Sequence, residues 1–304
     1  VVRQDPAVRD ARPTDHRRRT WHDLGAHVTV DGRRIFVVES GPATPEATVI
    51  VHGFPGSSHD FAGVLARLPP ERRVVLVDLL GFGHSDKPLD VTMSLFAQAD
   101  VVERVMRHLG VERAQLVAHD MGDTVVAELL ARRRDGRLGV DVDGAILTNG
   151  SIFIDLACLT RGQRLGLRMP DRTLPTSLPA WFLRRSVRES FAPGAPPPDG
   201  AIDDLVTAIR HGGGGRILLR QIRYIEERRV HQERWTAGLV DFDGPLTLLW
   251  GEQDPIAVPA MAERLARLRP GTDVVTWPDV GHWPSLEVPE RVADAIVART
   301  AWSS

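Results

Sequence analysis

Around Asp31-Gly32 the chain alternates apolar and polar residues, "HVTVDGRRIFVVESG". That pattern predicts a β-hairpin closed by a tight two-residue turn. Further on, the alternation gives way to short continuous runs of Val, Leu and Ile. These are "TVIVHG", "RVVLVDLLG", "AQLVAHD", "DGAILTNG" and "LTLLWGEQD", each stopped by Gly or Asp. Unbroken apolar runs of this length imply strands covered on both faces, as in a parallel sheet flanked by helices. Between them lie "SLFAQADVVERVMRHLG", "GDTVVAELLARRRDG", "PAMAERLARLRPG" and "PERVADAIVART". Each has apolar residues at i, i+3, i+4 and i+7, the spacing of an amphipathic helix. Hairpin, then strand and helix in alternation, predicts an α/β class: an open, mostly parallel, doubly wound sheet.

The alternation breaks between Ser151 and Leu239, where the pattern is helical and punctuated by "FAPGAPPPDG" and "HGGGG". The division expected is a lead-in over 1–24, a core over 25–150 and 240–304, and a helical cap over 151–239. An insertion at this point lies over the carboxyl ends of the strands, where open α/β sheets bind ligands. Gly212–Gly215 follows no strand and has no Lys-Ser/Thr sequel, so it reads as lid flexibility rather than a phosphate cradle.

Composition narrows the functional classes. A net charge of −2 over 304 residues leaves no basic field for nucleic acid or an anionic membrane. No apolar run approaches the roughly 20 residues of a membrane helix. The Arg-rich lead-in, with its Arg17-Arg18-Arg19 run, also carries acids and has no hydrophobic segment behind it, unlike a secretory signal. The one cysteine, Cys158, sits among apolar residues in "IFIDLACLT" and is expected to be a buried, inert thiol. A cytoplasmic monomer or homodimer is expected.

The chemistry is concentrated in "LVAHDMGDTVVAELL". A strand-like run ends in Ala118-His119-Asp120-Met121-Gly122 and a helical pattern begins at once. Small residue, apex, small residue at a strand-to-helix turn is the nucleophile elbow, here with Asp120 in place of the usual serine. The helix N-terminus behind the apex favours an ionised carboxylate. Asp254 follows the strand "LTLLWGEQD", and His282 lies in "WPDVGHWPSLEVP" after the last strand. Nucleophile, acid, histidine in that order completes a triad. An oxyanion hole is expected from the backbone N–H groups of Phe54, in "VIVHGFPGSS", and Met121.

With these residues the segment from Val49 to Arg299 resembles the α/β-hydrolase superfamily, in its aspartate-nucleophile branch of epoxide hydrolases and haloalkane dehalogenases. "HGFPGSS", "LLGFGHSDKP", "HDMGDTVVAELL", "LTNGSIF" and "RYIEERRVHQERW" are similar to the mesoderm-specific transcript group. The resemblance implies a cofactor-free, metal-free hydrolase acting with water on a small apolar organic substrate. Asp120 would displace a leaving group at saturated carbon and form an alkyl ester. His282, oriented by Asp254, would then activate water. Haloalkane dehalogenases hold the halide with side-chain N–H donors where this chain has Met121 and Phe54, which weakens that reading. Epoxide hydrolases polarise the ring with cap tyrosines, and the only tyrosine here, Tyr224, falls where the second of these stands. The first is missing; either Trp181 or His211 replaces it as a donor, or one phenol suffices. A non-catalytic ligand binder on this scaffold is the third, least favoured reading.

Other candidates receive quieter roles. His119 and Trp181 are candidate substrate contacts, although His119, like His52, sits where it would also bond locally to support a loop. His84 and Asp86 belong to a structural turn, and Asp123 favours the helix dipole. Asp155 is an alternative triad acid. Trp235 and Trp283 pack the cap or wall the cleft, and Arg132-Arg133-Arg134 is expected to be a solvated helix end.

Overall fold

A computed structural model of the chain describes residues 20–91, 93–169 and 178–300. The Arg17–Arg19 run lies outside these residues. The end of the lead-in, Trp21–Leu24, forms a 3-10 turn, pinned where Trp21 donates its indole N–H to Ser58 Oγ at 3.0 Å. The hairpin forms as the alternation predicts: β1 (Gly25–Val30) and β2 (Arg33–Ser40) pair antiparallel. Asp31 and Gly32 carry φ of 49° and 74°, the doubly positive geometry that matches the twist of paired strands.

The continuous apolar runs become β3 (Glu46–Val51), β4 (Val74–Val77), β5 (Arg113–His119), β6 (Asp141–Thr148) and β7 (Leu246–Gly251), and β8 (Asp273–Trp277) closes the sheet. The strand order is β1-β2-β4-β3-β5-β6-β7-β8. Strand β2 is antiparallel to both neighbours, and every other pair is parallel. Period-2 alternation on a doubly covered sheet explains the unbroken runs. In β5, Leu116 and Ala118 join one core layer while Val117 joins the other.

The second of these layers holds α1 (Ala62–Leu65); the first holds α2 (Leu95–His108) and α3 (Met121–Arg134). Helix α2 starts where Ser94 Oγ accepts the Phe96 N–H at 3.1 Å and ends at Gly110 with φ of 66°, an N-cap and a glycine stop. Between β6 and β7 lies the helical insertion: α4 (Arg161–Arg168), α5 (Ala180–Arg188), α6 (Ala201–Arg210), α7 (Leu218–Gln221) and α8 (Tyr224–Val240). The glycine run forms a 3-10 turn from His211 to Arg216, with φ of 55° and 84° at Gly212 and Gly213. Helices α9 (Ala260–Leu268), α10 (Pro284–Glu287) and α11 (Pro289–Ala298) complete the core. Among the described residues no helix is long and apolar enough to cross a membrane.

Three expectations are corrected. Helix α3 is not amphipathic: every residue from Met121 to Ala131 is buried, because α8 covers the side that faces away from the sheet. Arg132 is not solvated. It lies within an ion-pair network with Asp100, Glu103 and the buried Glu128. Glu128 also accepts from Arg234 Nε at 2.7 Å and Trp235 Nε1 at 3.0 Å, which ties α8 to α3. Cys158 is exposed, since the chain after β6 runs outward before α4 begins.

Removing the shared acceptor should loosen this attachment. Glu128→Ala leaves Arg132, Arg234 and the Trp235 N–H short of a buried partner. Breaking a buried pair typically costs about 3–5 kcal/mol, and a fall of that order in urea-unfolding free energy is expected.

Candidate active site

Four residues singled out in the sequence converge, together with Asn149, at the carboxyl ends of five adjacent strands: Phe54 after β3, Asp120 after β5, Asn149 after β6, Asp254 after β7 and His282 after β8. The elbow is a strained backbone, Asp120 having φ of 47° and ψ of −106°, a region that L residues occupy only when their surroundings enforce it. Gly122 makes the turn sterically possible, because a Cβ there would lie 2.4 Å from the Val51 carbonyl oxygen.

Asp120 is buried. Its Oδ2 accepts the Phe54 N–H at 3.0 Å, so one expected oxyanion-hole donor already holds a carboxylate oxygen. Met121 opens α3, placing its N–H among those that have no partner within the helix. His282 Nδ1 donates to Asp254 Oδ2 at 2.8 Å, leaving Nε2 as the ring's reactive nitrogen. Asp254 is itself held: Oδ1 accepts from the N–H groups of Ile256 and Ala257 at 2.7 and 3.0 Å, and Oδ2 from Asn149 Nδ2 at 2.7 Å. Burial alone would lower the His282 imidazole. The carboxylates of Asp254, Asp120 and Glu287 outweigh it and hold the ring above its ordinary value. Asp155, the alternative acid, is exposed and pairs with Arg264 Nη1 at 2.6 Å, whereas Asp254 is the acid in contact with His282.

The model of the family described as "Alpha/beta hydrolase family" matches residues 48–295. The chain belongs to this family. The protein named "Putative hydrolase LipZ" from Mycobacterium tuberculosis is 36% identical over 281 residues, which is 92% of this chain and 96% of that protein. The Mesoderm-specific transcript homolog protein of Homo sapiens is 33% identical over 283 residues, covering 89% of this chain and 84% of that one. The crystal structure of haloalkane dehalogenase DbeA from Bradyrhizobium elkani superimposes with a TM-score of 0.73 at 22% identity, over 90% of this chain and 96% of its own. At that identity the likeness is one of fold.

In this α/β hydrolase, Asp120 and His282 open onto a cavity of about 100 Å³ walled by Phe54 and Trp283 of the core and by Phe182, Leu183, Val187, Leu218 and Ile222 of the insertion. The residues expected at the substrate are distributed differently. Trp181 is 68% exposed and lines an outer groove beside the cavity. His119 is buried behind the elbow, its Nε2–H donating to the His282 carbonyl at 2.7 Å. Burial, with His282 adding to it, pushes that ring down to about 4. It supports the loop that carries His282, as His52 supports its own by accepting the Leu79 N–H at Nε2 and donating from Nδ1 to the Gly53 carbonyl, at 3.0 and 2.8 Å. The His84–Asp86 turn is held the same way: Asp78 Oδ2 accepts the His84 N–H at 2.7 Å and Asp86 Oδ2 accepts the Arg34 N–H at 2.8 Å. Tyr224 is buried, with its ring 5.6 Å from that of Phe54. Trp235 and Trp283 pack as expected, with Trp283 also giving its indole N–H to Ser190 Oγ at 2.7 Å.

Three residues of the hydrolase site escaped the sequence. Arg228, buried on α8, donates to the Asp120 carbonyl and to Thr124 Oγ1 at 2.9 and 2.8 Å. Its Nη2 is 3.8 Å from Asp120 Oδ1, and its guanidinium lies 4.7 Å over the Tyr224 ring. The signal was available: Tyr224 and Arg228 stand at i and i+4, one face of one helix. Asn149, in "LTNG", orients Asp254. Asp123 does not serve the helix dipole as an anion. It is buried with neither carboxyl oxygen hydrogen-bonded, and burial, then the charge of Asp120, pushes it well above the carboxylate range. Gly150 leaves the room for it, since a Cβ there would meet Asp123 Oδ2 at 1.9 Å.

The His282 shift has a measurable sign. Its imidazole should titrate above 6.5 by NMR, and Asp254→Asn, which removes the largest factor raising it, should bring the midpoint down. The raised value also stabilises the fold in full below 6.5, an effect lost as pH rises through the folded-state value.

Proposed function

We propose that this chain is a cofactor-independent hydrolase in which Asp120 attacks a saturated carbon, and that its substrate is an epoxide. The reading rests most on the state of Asp120. Its Oδ2 sits in the Phe54 N–H site, and its Oδ1 carries no hydrogen bond among the described residues and has the Arg228 cation 3.8 Å away. That is how a carboxylate nucleophile needs to be held: one oxygen anchored, the other available, the charge maintained by a buried cation and a helix N-terminus.

In the first step Asp120 Oδ1 forms a bond to one ring carbon as that carbon's bond to the epoxide oxygen breaks. The Tyr224 hydroxyl gives its proton to the departing oxygen, and the phenolate regains one at the end of the cycle from the carboxylic acid that ester cleavage leaves on Asp120, which returns to carboxylate. Burial, then the charge of Asp120, pushes the phenol up, so it remains a neutral donor at any working pH. Arg228, stacked on the ring, offsets the cost of the transient phenolate. In the second step His282 Nε2 takes a proton from water, whose oxygen attacks Cγ of Asp120. Negative charge then gathers on Oδ2, already at the Phe54 N–H. Collapse releases the diol, which takes back the proton from His282.

An epoxide is favoured over a halide by the fate of the indole donors. Trp283 is the one tryptophan on the cavity wall among the described residues, and its N–H is committed to Ser190. An epoxide needs a hydroxyl donor near Asp120 instead, and we assign that role to Tyr224, which is buried beside Phe54 and Arg228 although it does not line the cavity itself.

His282→Gln should halt the reaction at the ester. Incubation with a panel of terminal and internal epoxides is expected to add the mass of one epoxide to the Asp120 peptide, and no adduct with any member would sink the mechanism. Turnover should fall by about 10²–10⁴, the usual contribution of a general base. Tyr224→Phe should slow adduct formation on epoxides by about 10²-fold or more, while leaving any reaction with 1-haloalkanes comparatively untouched.

A further inference from the structure

The cavity at Asp120 is small. At about 100 Å³ it falls below the roughly 300–1,000 Å³ of ordinary ligand pockets, so a substrate of more than a few carbons must extend out of it. It adjoins the outer groove of about 1410 Å³: Thr160, Gly162, Phe182, Ser186 and Ile256 line both spaces. The groove has a different chemistry from the cavity. Five arginines, Arg161, Arg164, Arg168, Arg185 and Arg229, stand on its walls with only two acids, Glu189 and Glu226.

Both acids are already neutralised. Glu189 pairs with Arg185 at 3.0 Å, and Glu226 with Arg223 at 3.5 Å. Arg161, Arg164, Arg168 and Arg229 make no ion pair among the described residues. Three of them recur at i, i+3 and i+7 along α4, one face of that helix. The whole chain has a net charge of −2, so this concentration of unpaired cations is local to the mouth of the site. Like charges held side by side repel, and an anion brought among them is attracted by all of them at once. Guanidinium forks match the two oxygens of a carboxylate or phosphate. The exposed face of Trp181, 68% accessible, adds apolar surface to the same groove.

We infer that the groove binds the anionic head of an amphiphilic substrate, an alkyl chain ending in an oxyanion, whose reactive carbon enters the apolar cavity. This rests on Asp120 being the reacting group, and it names the substrate class for that site. The head remains among the arginines in wet surroundings, and the chain threads past Phe182 and Ile256 to Asp120. Burial of the chain supplies affinity, and the arginines fix its direction, so that the end that reacts is the end remote from the charge.

The test reads binding and is independent of turnover. Calorimetry of the full chain with dodecanoate, dodecanol and dodecylammonium should give tightest binding to dodecanoate, weakening with added NaCl. In the triple variant Arg161→Gln/Arg164→Gln/Arg168→Gln, the ratio of dodecanoate to dodecanol affinity should fall at least tenfold. Ile256→Trp, which narrows the passage, should weaken both ligands. Equal affinity of the wild-type chain for dodecanoate and dodecanol would overturn the inference. So would an unchanged ratio in the triple variant, or binding to vesicles of phosphatidylglycerol and phosphatidylcholine that the variant loses while dodecanoate affinity persists. Failure of the epoxide adduct to form, with these binding results intact, would count against the chemistry alone.

Discussion

A carboxylate removed from water at the tip of a buried strand is unfavourable by several kcal/mol unless something replaces its hydration. Most of the site can be traced to how Asp120 meets that requirement. The Phe54 N–H supplies a hydrogen bond, and the first turn of α3 supplies unpaired N–H groups. Arg228 supplies an opposite charge at a distance where the two ions attract without closing a hydrogen bond. A full salt bridge would have held Oδ1 as firmly as Oδ2. The 3.8 Å separation keeps the charge and leaves the oxygen unbonded.

The same constraint accounts for α8. The helix belongs to the insertion by sequence, yet it carries Tyr224 and Arg228 towards the elbow, Glu227 towards the N-terminus of α2, and Arg234 and Trp235 towards Glu128. Gly238 lets it approach α3 so closely that a Cβ would lie 2.6 Å from the Ala127 carbonyl oxygen. It is a structural wall of the core as much as the floor of the insertion, and it explains why α3 has no solvent face.

Much of this was legible in the chain. Strand runs stopped by Gly or Asp are a direct consequence of double-sided burial, so β3 to β7 could be read from them, and with them the places where Asp120, Asp254 and His282 sit. The elbow could be read because its geometry admits so few residue types. What remained hidden depends on contacts between distant segments. Arg132 looked solvated because nothing in "ARRRDG" shows that α8 will bring Arg234 to the same acid. Asp123 looked like a helix-end anion because its burial is decided by β6 and Gly150. Trp181 looked like a site residue, but a helix pattern does not say which side of an insertion faces the core. Cys158 sits in an apolar stretch that runs along the surface.

The neutral carboxyl of Asp123 has a consequence for charge conservation inside the protein. Asp123, one helical turn along from Asp120, is held protonated first by burial and only second by the charge of Asp120. Burial, the larger factor, does not depend on Asp120, so under the proposed mechanism Asp123 would stay neutral through the ester stage, and the elbow would never hold two carboxylates side by side.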